Sequence, residues 1–184
     1  MAKELVEFSQ EEKKSILEWC REIIRSSLEN KPEPEGPDLK GNGGVFVTLN
    51  KGGKLRGCIG VFDWSKPVKD TISRMAKAAA FSDHRFEPVT LPEVDELEIV
   101  VSVLSEPEKL DSIDDIVIGR DGLYLIHPRG RGVLLPVVAV EQGFTPHEFV
   151  LCTCRKAGLS YSAYLDPEAQ LMVFRAPAFS TGDF

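Results

Sequence analysis

The stretch Lys54-Leu55-Arg56-Gly57-Cys58-Ile59-Gly60-Val61-Phe62 constrains the fold of this chain more than any other. It follows an apolar run, Val45-Phe46-Val47-Thr48-Leu49, across the polar link Asn50-Lys51-Gly52-Gly53. Two apolar runs joined by a short glycine-containing link predict a β-hairpin. Side chains alternate along a strand, so Leu55, Gly57, Ile59 and Val61 share one face and Arg56, Cys58, Gly60 and Phe62 the other. The thiol of Cys58 then lies one strand repeat, roughly 7 Å, from a guanidinium that never loses its charge. Glycine weakens a strand and is tolerated where something approaches the backbone closely. Gly57 and Gly60 flank Cys58, so the expectation is a small cleft with the sulfur in its wall.

A chain of 184 residues can bury one sizeable core, in one or two lobes, and is short for two independent domains. The N-terminal residues lack the apolar core of a signal peptide, and no run approaches the length of a membrane span. Four cysteines in such a chain make no disulfide framework, so a reduced, cytoplasmic protein is expected. The net charge of −7 conceals an asymmetry: residues 51–85 carry +5 and residues 86–121 carry −9. Overall acidity argues against binding extended duplex nucleic acid, which needs a dominant basic footprint. The basic segment leaves room for a small anionic ligand, a nucleotide or a peptide carboxylate.

Ser9 to Glu12 form a capping box, and Ile16, Cys20, Ile23, Ile24 and Leu28 follow at helical spacing. Residues 30–44 are rich in proline and glycine and read as a connector or a lid. Ser65-Lys66-Pro67 opens a second helix, buried along Val68, Ile72, Met75, Ala76 and Ala79 and ending near Ser82. Leu97 to Ser105 is a strand with one wholly apolar face, expected to pair with the hairpin. Residues 112–115 read as a short turn. Residues 116–118 and 123–126 read as strands joined by Gly119-Arg120-Asp121-Gly122. A further strand, Val133-Leu134-Leu135, is expected to stop at Pro136. Thr145-Pro146-His147-Glu148 starts a helix that Gly158 ends, and Leu171 to Phe174 is a last strand.

Several groups are candidates for chemistry. Cys58 is either a nucleophile favoured by the neighbouring cation or a small packing residue in a crowded strand. A nucleophile needs a base, and His84 and His127 are the options. Asp83 and Arg85 sit in the irregular segment after the second helix, as site residues or as a pair that ties the loop down. Thr48 projects from the partner strand, and Arg56 is suited to hold an anionic group by paired hydrogen bonds. Cys152 and Cys154 lie two apart on a helix, point away from each other and lack metal-ligand spacing. Neither a metal nor a cofactor is expected.

Leu55-Arg56-Gly57-Cys58-Ile59-Gly60, the LRGCIG hexapeptide, resembles the hallmark of the AMME chromosomal region protein family, whose prokaryotic type is AmmeMemoRadiSam system protein A. Further matching segments are Ala79-Ala80-Phe81-Ser82-Asp83-His84-Arg85-Phe86, Ile118-Gly119-Arg120-Asp121-Gly122-Leu123 and Cys154-Arg155-Lys156-Ala157-Gly158-Leu159. The resemblance implies an α+β protein of mainly antiparallel or mixed sheet flanked by helices, with a larger and a smaller lobe and a cleft between them. It implies one domain over residues 1–184, its lobes not independent. It also implies a pathway of RNA or protein modification shared with a Memo-like protein and a radical-SAM enzyme. By position it nominates Arg56, Gly57, Cys58 and Gly60, then Thr48, Asp83, Arg85 and Phe86. Position 84 is proline in many members, which counts against His84 as a base, and Val137 stands where glutamine is frequent.

Three functional readings follow. In the first, a cleft containing the hexapeptide serves the modification pathway, with Cys58 as nucleophile and Arg56 and Asp83 assisting. In the second, a binding module holds a nucleotide, nucleic-acid end or peptide through Arg56 and Arg85, with Thr48, Gly57, Gly60 and Phe86 around the ligand. In the third, the chain is a scaffold for partner proteins.

Overall fold

A computed structural model describes residues 6–184. The fold is α+β, and its strands form two separate four-stranded antiparallel sheets. The described chain divides into two compact units, residues 6–104 with 177–184, and residues 105–176.

The larger unit is built on the expected hairpin. Strands β1 (Gly44–Lys51) and β2 (Lys54–Val61) pair antiparallel around Gly52 and Gly53, both at positive φ (56° and 73°). Two consecutive positive φ values suit the tight turn that matches strand twist, and glycine adopts them without a Cβ clash. Strand β3 (Leu97–Leu104) pairs with β1, and β8 (Ala178–Ser180), a strand the sequence pattern does not reveal, pairs with β3. The sheet order is β2-β1-β3-β8, which leaves β2 at an edge. Val45, Val47 and Leu49 of β1 and Leu97, Ile99, Val101 and Val103 of β3 are buried in one core with the helices α1 (Gln10–Leu28) and α2 (Val68–Phe81).

Both ends of α1 follow from local chemistry. The Ser9 hydroxyl accepts the Glu12 N–H, and the Glu12 carboxylate accepts the Ser9 N–H. Its apolar stripe, including Cys20, is buried, and burial pushes the Cys20 thiol up to about 12, which makes it inert. Pro67 rather than Ser65 is the residue that caps α2. Ser65 instead donates its hydroxyl to Asp63, so the helix start lacks a side-chain cap.

Segment 30–44 is strapped to the helices. Trp19 donates its indole N–H to the Pro34 carbonyl, Lys69 donates to the Gly36 carbonyl, and Ser73 and Lys77 both donate to Glu33. Those bonds make it a connector, not a lid.

The smaller unit carries the sheet β4-β7-β5-β6, from Glu108–Lys109, Gln170–Arg175, Asp121–His127 and Gly130–Leu134 respectively. Residues 116–118, expected as a strand, are not one. The Asp121 carboxylate accepts the Val117 N–H and pairs with Arg120, which curls the chain into a turn. Pro136 does not simply end a strand: it occupies the first turn of α3 (Pro136–Glu141), where a missing N–H costs nothing. Helix α4 (Pro146–Lys156) has the expected Thr145–Glu148 capping box, and Gly158 follows it at φ 75°. A β-carbon at Gly130 or Gly132 would meet the backbone of Ala157, so those glycines let the α4 end lie against β6. Cys154 is buried and Cys152 half-buried on α4, in keeping with packing roles. Among the described residues, no helix is long and apolar enough to cross a membrane.

Gly57 tests the packing directly. A β-carbon there would overlap the carbonyl oxygen of Ala79 in α2, a contact that only backbone movement relieves. Gly57→Ala is expected to lower the unfolding free energy by about 1–3 kcal/mol in urea titrations. An unchanged midpoint contradicts this packing.

Candidate functional site

Cys58 faces Thr48 directly across the hairpin, and its Sγ lies 3.0 Å from the Thr48 Oγ1. The Cys58 backbone points away from β1. Its N–H donates to Asp83 Oδ2 at 2.9 Å, and its carbonyl accepts from Arg85 Nη2 at 3.4 Å. Strand residues alternate between inward and outward backbone bonds, and an edge strand leaves its outward set unpaired. Asp83 and Arg85 fill that position as a side-chain substitute for one step of a neighbouring strand.

Asp83 is the buried centre of this arrangement, with a side chain only 3% exposed. It accepts from Arg85 Nε at 3.0 Å and Arg85 Nη2 at 2.8 Å, besides the amides of Cys58 and Arg85. The Arg85 guanidinium, and then the Cys58 amide, hold its carboxyl far below the usual carboxylate range despite the opposing effect of burial. A fork-shaped pair of this kind fixes the plane of the guanidinium as well as its position. Arg85 also lies over the Phe86 ring, with its central carbon 5.4 Å from the centroid. Its side chain is 54% exposed, and among the described residues Nη1 has no hydrogen-bond partner. The ionised form of Arg85 is favoured first by Asp83 and in smaller part by the Cys58 sulfur.

Arg56 behaves differently from expectation. Its Nε and Nη2 donate to the two carboxylate oxygens of Glu93 at 3.0 and 3.1 Å, and Nη1 and Nη2 donate to the carbonyls of Glu87 and Pro88. Glu93 also closes a capping box with Thr90 at the turn Leu91–Glu96. The guanidinium is spent on that loop, with its side chain 17% exposed. It is a clamp that joins β2 to the chain before β3, and the guanidinium hydrogen-bonded to the Cys58 carbonyl is that of Arg85.

The two glycines do not open a hollow. Gly57 abuts Ala79, and a β-carbon at Gly60 would run into the ring of Phe46, its cross-strand partner. The missing β-carbons are filled by packing, which overturns the expectation of a cleft carved by them. Among the described residues, His84 makes no hydrogen bond to the sulfur. His84 is exposed, and His127 belongs to the smaller unit with partners of its own. The structure therefore gathers Thr48, Cys58, Asp83, Arg85 and Phe86, and assigns Arg56, Gly57 and Gly60 to the frame. Glu93 lies 37 residues from Arg56 in sequence, so spacing does not reveal their pairing. The Thr90-x-x-Glu93 spacing of a capping box was its one legible signal.

The AMMECR1 family profile matches residues 17–179. The chain belongs to the AMMECR1 family. A protein from Methanothermobacter thermautotrophicus is 38% identical over 182 residues, covering 93% of this chain and 95% of that protein. Protein TK0174 of Thermococcus kodakarensis is 40% identical over 158 residues, 80% of this chain and 77% of the relative. The crystal structure of the uncharacterized protein PH0010 from Pyrococcus horikoshii superposes with a TM-score of 0.82 at 35% identity, covering 94% of this chain and 93% of the other.

The clamp carries a pH dependence of definite sign. Arg56, then the Thr90 amide, draw the Glu93 carboxyl from its ordinary 4.5 down to about 2. Such a group lends stability that is complete above its unfolded value and is lost as pH falls through the folded one. Roughly 2 kcal/mol is expected to disappear between pH 4.5 and pH 2. Urea titrations across that window are expected to show Glu93→Gln less stable at neutral pH and distinctly less pH-dependent than the parent. Parallel curves for the two proteins contradict the clamp.

Proposed function

We propose that this AMMECR1-family protein is a cytoplasmic binding component, and that it recognises an anionic group at the surface formed by Thr48, Cys58, Arg85 and Phe86. The observation that carries this reading is the state of the two arginines. Arg56 has four of its five N–H donors committed to Glu93 and to backbone carbonyls, whereas Arg85 is held rigid by Asp83 with no hydrogen-bond partner for Nη1 among the described residues. A preoriented, half-exposed guanidinium binds an oxyanion without first ordering its own side chain. Phe86 beneath it and the Thr48 hydroxyl beside the thiol add an apolar face and a donor.

Nucleophilic attack by Cys58 is the weaker reading. Among the described residues, the side chain within hydrogen-bond reach of its sulfur is a threonine hydroxyl, which is no base at neutral pH. The pathway is the one the family resemblance implies, shared with a Memo-like protein and a radical-SAM enzyme and directed at RNA or protein. In that setting the site holds a phosphate- or carboxylate-bearing end while chemistry is done by a partner.

Titration of the ¹⁵N-labelled protein with AMP, and separately with inorganic phosphate, tests the site. Amide shifts centred on Thr48, Cys58, Arg85 and Phe86 are expected, abolished in Arg85→Ala and retained in Cys58→Ser. In parallel, Cys58 is expected to react with a thiol reagent no faster than half-buried Cys152. Loss of binding in Cys58→Ser with retention in Arg85→Ala, or fast selective labelling of Cys58, returns the thiol to the centre of the function.

A further inference from the structure

His127 ends β5 in the smaller unit, with a side chain only 1% exposed. The Arg129 amide donates to its Nδ1 at 3.1 Å across the β5–β6 turn. Its Nε2 is sealed from solvent and has no hydrogen-bond partner among the described residues, although Asp166 Oδ2 lies 3.3 Å away. The two atoms are close but misdirected for a hydrogen bond. An unmet buried imidazole nitrogen calls for an explanation, since buried polar groups are paired almost without exception.

One carboxylate oxygen each from Asp166 and Glu168 lies, with the imidazole nitrogen, inside a group of atoms all within 4.8 Å of one another. Ligand atoms about 2.0–2.2 Å from a common ion stand about 3.0–3.5 Å apart, and the His127–Asp166 separation of 3.3 Å falls in that range. The Glu168 N–H donates to Asp166 Oδ1, and Oδ2 faces His127 Nε2, with Arg129 Nη2 3.8 Å from it. Glu168 is exposed and its side chain is free to close the set. A cavity of about 510 Å³ is lined by His127, Arg129, Arg131, Glu168 and Gln170 among others.

We propose that His127, Asp166 and Glu168 form a binding site for a divalent first-row transition-metal ion. One imidazole and two carboxylates suit Mn²⁺ or Zn²⁺ better than the thiolate-rich sets that select softer ions. Binding has a built-in consequence for the ring. With Nδ1 accepting the Arg129 amide, the neutral imidazole carries its proton on Nε2. An ion on Nε2 moves that proton to Nδ1, with no net loss from the ring, and the Arg129 amide gives up its bond. Metal occupancy is thereby coupled to the β5–β6 turn. The sequence pattern does not reveal this site, because His127 and the two carboxylates lie some 40 residues apart without motif spacing.

Mn²⁺ is the probe of choice, because it ignores the free thiols that would bind Zn²⁺ elsewhere. The full chain, stripped with a chelator, is titrated while the free-ion signal is followed by electron paramagnetic resonance. One equivalent is expected to bind, and Glu168→Gln and Asp166→Asn are each expected to weaken it by about tenfold or more with unchanged thermal unfolding of the apo protein. Both positions are used because His127→Gln removes the turn bond as well. A second readout is the ¹⁵N pattern of the His127 ring, which is expected to pass from the Nε2–H to the Nδ1–H tautomer on adding one equivalent of Zn²⁺. No stoichiometric Mn²⁺ binding, binding indifferent to both carboxamide variants, or an Nε2–H that persists with Zn²⁺ bound overturns the proposal.

Discussion

The N–H of Cys58 lies on the open edge of β2, where no strand of the described residues takes it, and the Asp83 carboxylate takes it instead. An edge amide is normally left to water or to a partner chain, and exposed edges invite unwanted pairing. Here one short acidic side chain, delivered by the loop after α2, closes that position from within the same unit. Because it is buried and ionised, it needs a cation, and Arg85 two residues on supplies both donors of its fork. The orientation of Arg85, its stacking over Phe86 and its reach to the Cys58 carbonyl all follow from that one bond. Edge protection and site geometry are the same interaction.

The two arginines near the hexapeptide show how similar residues divide into frame and function. Arg56 spans from β2 to Glu93 and to two carbonyls, so its charge is paired and four of its five donors are taken. Arg85 is held along one side only. The difference comes from what each carboxylate partner must also do: Glu93 caps a turn with Thr90, and Asp83 caps a strand edge. The local positive charge of residues 51–85 is accordingly much smaller in effect than its count, because the acidic segment that follows folds back to meet part of it.

Much of the frame is legible from local pattern. The hairpin follows from the Gly52-Gly53 link, α1 and α4 from their capping boxes, and β3 from strict alternation. What escaped was decided by long-range contacts or by a residue with two meanings. Pro136 reads equally as a strand stop and a helix start, and only its surroundings choose. Ile116 to Ile118 look like a strand until Asp121 reaches back to the Val117 amide. At the site, residue types were readable and partners were not. Cys58 and Thr48 meet because a bulge between Leu49 and Asn50 shifts the hairpin register by one residue, and the choice of Arg85 over Arg56 depends on Glu93, which sequence spacing does not bring near. Gly57 and Gly60 suggest an opening beside Cys58, yet the space is taken by Ala79 and Phe46 of the protein itself.

Amide hydrogen exchange at Cys58 puts the central bond to the test. Ile59, whose amide faces β1, serves as an internal reference because its protection depends on the sheet and not on Asp83. The account predicts that the Cys58 amide of the parent protein is protected, and that Asp83→Ala accelerates its exchange by at least about tenfold relative to Ile59. A Cys58 amide that exchanges as fast as an open edge group in the parent, or that is indifferent to Asp83→Ala, contradicts it.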